Sequence, residues 1–178
     1  MDFTITAEQQ ELLDLVQEIV TKEIAPRALE MDKDGVVPDE LWKILKQTGL
    51  TSLGVPKEYG GLGLDAMTLA LIFEKIAQGC AGIATACAAN MLAMLPVAFG
   101  GTPEQMQAFC DVILGGGMAA FALTEPNAGS DASAIATRAK KTEGGYILNG
   151  TKHFITNGPI ADVVVVFANA NPARGVRG

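Results

Sequence analysis

Basic residues are scarce: 13 Lys and Arg stand against 20 Asp and Glu, for a net charge of −7. No run of Lys and Arg gathers into the patch that a nucleic acid or an anionic membrane requires, so those partners are excluded. One histidine and three cysteines, with no C-x-x-C pair, cannot assemble a zinc site, and no metal is expected. Cys80, Cys87 and Cys110 fall in segments that read as buried helix, where a thiol acts as a small hydrophobe in a reducing compartment. The run Met1 to Ile5 lacks a basic stretch followed by an apolar one, so no signal peptide is evident and a cytoplasmic location is the default. No G-x-G-x-x-G occurs. Charge is missing altogether between Gly79 and Pro103. That stretch is long enough to cross a bilayer, but Thr85, Asn90, Pro96 and several glycines dilute it. Its small residues fit a helix buried centrally in a bundle.

What remains is ample material for a core, with 49% hydrophobic and 19% charged residues. Thr6 and Gln9 have the spacing of a capping box. After them Leu12, Leu13, Val16, Ile19, Val20 and Ile24 fall on one helical face. Pro26 removes a backbone donor and predicts the end, or a kink, of that helix. A second helix is predicted from Pro38 to Gly49, with Leu41, Ile44 and Leu45 inward. The segment 55–63, VPKEYGGLG, has no helical period and reads as a turn-rich loop. Asp65 is an N-cap candidate for an apolar helix, the charge-free stretch supplies another, and Thr102-Pro103-Glu104 opens a fifth. That last helix should face inward through Met106, Phe109, Val112 and Ile113.

The apolar period changes at Gly115-Gly116-Gly117. Beyond it lie short strand-like runs, MAAFALTEP, SAIATRAKK, YILNGTKHFIT and ADVVVVFANA, punctuated by Gly144-Gly145 and by Asn149-Gly150. The latter dipeptide is a strong hairpin signal. Helices followed by strands, without βαβ alternation, give an α+β fold rather than a doubly wound one. The expected organisation is a helical domain over 1–114 and a partial antiparallel β domain, barrel or sandwich-like, over 115–178. The strand 161–170 lacks a following partner before Gly178, and an unpaired edge is a liability, so the chain reads as truncated.

Two segments carry a family resemblance. FALTEPNAGSD (121–131) and KHFITNG (152–158), the latter preceded by YILNG, resemble the two flavin-contacting signatures of the acyl-CoA dehydrogenase family, at their usual separation. The opening helix and the VPKEYGGLG loop resemble it too. The resemblance implies FAD as cofactor and a homo-oligomer, tetramer or dimer, when full-length. It also implies a third, C-terminal helical domain that supplies the catalytic base, so no catalytic residue is expected in this chain. Phe121, Ala122, Leu123, Thr124, Glu125, Pro126, Asn127, Ala128, Gly129, Ser130, Phe154, Ile155 and Thr156 are its implied cofactor-binding residues. Leu123 and Thr124 would meet the pyrimidine end of the flavin, Thr156 its N5, and Ser130 both the pyrophosphate and the substrate's pantetheine arm. Many members carry Trp where this chain has Phe154.

Residue chemistry runs parallel to these roles. The 125–130 turn, with a proline and small residues, exposes backbone N–H groups that can face oxygen atoms; by itself it is equally a strand-ending turn. HFIT by itself is an alternating strand, which usually means core packing. Glu125 is a carboxylate that could be mistaken for the base, but in a strand-ending turn it should be satisfied by local hydrogen bonds. Strand alternation would point His153 away from Phe154. For the full-length protein the resemblance implies α,β-dehydrogenation of an acyl-CoA, with electrons passed to an electron-transfer flavoprotein. Two alternatives stand: a non-catalytic piece serving assembly or weak flavin binding, and a same-fold acyl-CoA oxidase or flavin monooxygenase.

Overall fold

A computed structural model describes residues 3–177. Met1 and Asp2, part of the run that argued against a signal peptide, lie outside the described residues. Helix α1 (Ala7–Ile19) opens on the Thr6–Gln9 capping box, in which each side chain meets the other residue's backbone N–H. Leu13, Val16, Val20 and Ile24 are buried, and Leu12 and Ile19 pack beside them.

Pro26 does not end the helical path. A π turn (Val20–Ile24) and a 3₁₀ turn (Ala25–Arg27) carry the chain on into α2 (Ala28–Asp34), which stops at Gly35 with φ +66°. The physical reason is local. Ala25 N–H bonds back to Val20 O, five residues away, and this wider turn relieves the collision a proline ring makes with the carbonyl four residues before it. Helix α3 (Asp39–Gln47) buries Leu41 and Leu45. Helix α4 (Ala66–Gly79) begins at Asp65, whose carboxylate accepts from Thr68 N–H.

The charge-free stretch is helix α5 (Ala81–Gly100). It is long and apolar enough to span a membrane by length and composition, and here it packs against α4 (Ala66–Gly79), α6 (Pro103–Leu114) and the first strand. Helix α6 carries a second capping box, Thr102 with Gln105, and buries Met106, Phe109 and Ile113, with Val112 half-buried. The cysteines are free. Cys87 and Cys110 are buried and Cys80 is only half-buried; burial pushes the Cys87 thiol up to about 12.

The β region is smaller than the sequence predicts, and no closed antiparallel barrel or sandwich is present among the described residues. Strand β1 (Ala119–Ala122) pairs in parallel with β4 (Val163–Val166), and β2 (Arg138–Thr142) pairs antiparallel with β3 (Gly145–Asn149). Parallel pairing needs a crossover, and residues 123–162, hairpin included, provide it. The hairpin turn is Glu143-Gly144, with Gly144 at φ +82°, not Asn149-Gly150. Asn149 still pairs within the ladder. Gly150 instead packs on Thr137, where an added Cβ would sit 2.3 Å from the hydroxyl oxygen.

Two apolar clusters fill the interior. One joins α1 to α4, and the other joins Val55, α5, α6 and Ala119, with Phe121, Val163 and Val165 packed against it. The β1–β4 pair therefore shares its core with the helices. Asn90 reinforces the seam: from inside α5 it donates to Thr51 O at 2.8 Å and accepts from Ala119 N–H at 2.7 Å. That fixes where β1 begins, at the edge of α5.

Candidate functional site

Beyond Ala122 the backbone leaves the ladder. Glu125 and Ala128 exchange backbone hydrogen bonds at 3.0 and 3.1 Å, closing a tight turn. The N–H groups of Asn127, Gly129 and Ser130 find no protein acceptor among the described residues, and all three residues are exposed. The second segment is not a strand. Phe154 has φ +54° and Asn157 φ +62°. A left-handed conformation is a cost for any residue with a Cβ, and a large aromatic rarely adopts it.

That irregular backbone overturns two expectations. Strand alternation does not separate His153 from Phe154; their rings stack with centroids 4.0 Å apart. Nor does Phe154 serve core packing, being 84% exposed. Exposed aromatics in strained backbone cluster at binding sites, so the observation itself motivates a functional reading.

Glu125 is satisfied, but by distant partners rather than local ones. Its carboxylate accepts from Lys152 Nζ at 2.8 Å, Ala136 N–H at 2.7 Å and Thr137 N–H at 3.0 Å. Burial is the largest single influence and pushes the carboxyl up. The Lys152 ammonium and the backbone donors together outweigh it and bring the pKa down to about 2. A carboxylate held that firmly in its ionised form is a poor proton acceptor near neutral pH.

One cleft of about 500 Å³ gathers candidates from both segments. Phe121, Thr124, Phe154 and Thr156 line it together with Thr85, Ala88, Ala89, Met91, Leu92 and Leu95 of α5. The Thr124 and Thr156 hydroxyls engage no protein group among the described residues. Ala122, Leu123, Ile155 and the 125–130 turn do not line the cleft: Ala122 and Ala128 are buried, and Ser130 is exposed elsewhere. No carboxylate among the described residues lines it either. A larger cleft of about 630 Å³, between α6 and β4, contains none of the candidates. Two open hydroxyls beside an exposed ring, over a floor of Ala, Leu and Met, fit one face of a planar heteroaromatic with polar edges.

Residues 6–117 match the family model for the acyl-CoA dehydrogenase N-terminal domain, and residues 120–178 match that for the middle domain. The chain belongs to the acyl-CoA dehydrogenase family. It is 41% identical, over 98% of its length, to cyclohex-1-ene-1-carbonyl-CoA dehydrogenase of Geobacter metallireducens, and covers 46% of that protein. Butyryl-CoA dehydrogenase from Megasphaera elsdenii superposes with a TM-score of 0.88 at 39% identity, over 98% of this chain and 47% of that one. An FAD complex of PigA superposes with a TM-score of 0.85 at 33% identity, over 98% and 47%. The chain thus spans about half the length of the curated relatives it matches.

Two residues of the candidate site in this acyl-CoA dehydrogenase-family chain escaped the sequence reading. Lys152 was visible only as the first letter of a motif, and its buried partner lies 27 residues earlier. Asn157, 9% exposed, donates to Ala86 O and Ala119 O at 2.9 and 3.1 Å, tying the second loop to α5 and β1. An Asn before Gly is a left-handed turn signal that could have flagged it.

Proposed function

We propose that this chain supplies one wall of an FAD-dependent site that removes hydrogen from the α and β carbons of an acyl-CoA thioester. The observation that carries the reading is the meeting of Thr124 and Thr156, from separate motifs, on one apolar cleft with both hydroxyls open. Each hydroxyl can donate to a polar edge of the ring, and Phe154 can cover its face. Leu92, Leu95, Met91 and the alanines of α5 exclude water and suit an aliphatic acyl group. FAD, when bound, would supply the hydride acceptor. The loop N–H groups of Asn127, Gly129 and Ser130 are free to meet phosphate oxygens, and Ser130 is assigned to both the cofactor and the pantetheine arm. With Glu125 engaged and no carboxylate in the cleft, the base that takes the α-proton is assigned to residues outside these 178. An electron-transfer flavoprotein is the proposed acceptor of the electrons.

The test is an FAD titration of the purified chain and two variants, followed by flavin absorbance. Thr124→Val and Thr156→Val should each weaken binding by roughly fivefold, the worth of one hydrogen bond. Melting should be unchanged, because neither hydroxyl serves the protein. Equal affinity in all three proteins would sink the reading.

A further inference from the structure

An ion pair in the thin β part of a protein is a costly way to fill space. Desolvating both charges cancels much of their attraction, and an apolar pair of similar volume is often as stable. The Lys152–Glu125 pair is nevertheless closed off, with 11% and 5% of the two side chains exposed. Its neighbours show what it holds. Lys152 Nζ donates to Leu123 O at 2.9 Å as well as to Glu125, and His153 N–H donates to Thr124 O at 2.9 Å. Three successive residues of the first loop are thus tied to two successive residues of the second. No ladder does this work: β1 ends at Ala122 and β3 at Asn149. Asn157 anchors the far end of the second loop. Between the two anchors lie Phe154 and Thr156, facing the cleft.

We infer that Lys152 is a positioning residue, clamping the Thr124 loop to the Thr156 loop so that both hydroxyls face one ligand. Its meaning for the flavin rests on the function proposed above. The clamp itself does not, and can be measured without any cofactor. Lys suits this place because one ammonium offers three donors, enough to serve a carbonyl and a carboxylate together.

The test compares the full 178-residue chain with K152M and with E125Q/K152M. Amide hydrogen exchange is read at His153, with α5 amides as the internal reference. K152M strands a buried carboxylate, and His153 exchange should rise on the order of 100-fold. The double variant leaves no unpaired charge. It should melt close to the wild type yet still exchange on the order of tenfold faster at His153, while α5 amides stay within about twofold. Unchanged His153 exchange in the double variant, or α5 amides rising in step with it, overturns the clamp. FAD titration of the double variant supplies the second arm. A dissociation constant that rises with the exchange rate supports positioning for the flavin, and an unchanged constant overturns that role. If the wild-type chain gives no FAD response, the flavin reading falls while the exchange data still decide the clamp.

Discussion

Glu125, the carboxylate inside the first motif, is held as an ion by Lys152 and two backbone donors. Its folded pKa, about 2, lies below the ordinary value of 4.5. A depressed carboxylate contributes stability that is fully present above the unfolded pKa and is lost as pH falls through the folded one. Wild-type stability should therefore decline between about pH 4.5 and pH 2, and Glu125→Gln should flatten that part of the curve while lowering stability at neutral pH. Denaturant melts at pH 3, 4 and 6 would show it. A parallel acid limb in both proteins would contradict the pairing. Asn157 offers a second residue-scale test, because its side chain and its φ of +62° are separable. Asn157→Gly loses the bonds to Ala86 and Ala119 but keeps the left-handed turn, whereas Asn157→Ala loses both. The alanine variant should be less stable by about 1 kcal/mol more than the glycine one, read from urea midpoints.

Elements set by local chemistry were legible in the sequence. The capping box at Thr6, the Asp65 cap and the Thr102-Pro103 start place three helices, because a side chain three residues away decides each. The Gly115–Gly117 break likewise separates α6 from β1. Elements set by partners were not. Pro26 reads as an end or a kink, and what it becomes is decided by the π turn that opens the helix behind it. The valine run 163–166 reveals a strand but not that its partner is β1 in parallel, since that choice depends on a crossover through residues 123–162. HFIT alternates like a strand, but its backbone makes no ladder: His153 N–H donates to Thr124 O, and Ile155 O accepts from Gly158 N–H. At the site, the motif letters gave the two threonines, while the ion pair behind them was hidden by its 27-residue separation. The seam between helices and sheet hangs on Asn90, an element-scale device in an otherwise apolar helix. Asn90→Ala strands Thr51 O and Ala119 N–H inside the core, at a cost of about 3 kcal/mol. Urea unfolding should show that loss, and a change below about 0.5 kcal/mol, the size typical of surface substitutions, would mean another group serves β1.

At the scale of the whole molecule, the apolar surface left uncovered matters most. Phe99 is 88% and Phe154 84% exposed, Leu92 and Leu95 are partly open along α5, and Tyr146, Ile147 and Leu148 stand out on the hairpin. Phe154, Leu92 and Leu95 come together along the cleft, and bare apolar surface gathered in one place marks a site for a partner or a ligand. The cleft has the same character: an α5 floor, two loops, and no opposing wall among its lining residues. A ring bound there would keep one face in water, so less apolar area would be buried and the threonine hydrogen bonds would compete with solvent. The chain by itself should purify colourless, bind FAD weakly enough to lose it on dialysis, and self-associate as its concentration rises. It should also fail to oxidise butyryl-CoA with a dye acceptor, because a positioned base is worth roughly 10² to 10⁴-fold and none lines the cleft. Absorbance after dialysis, sedimentation at two concentrations and a dye-linked assay check these outcomes separately. A yellow, stoichiometric complex that survives dialysis would mean that one wall suffices to hold the cofactor. Turnover would return Glu125 to the mechanism, in spite of the lysine that holds it.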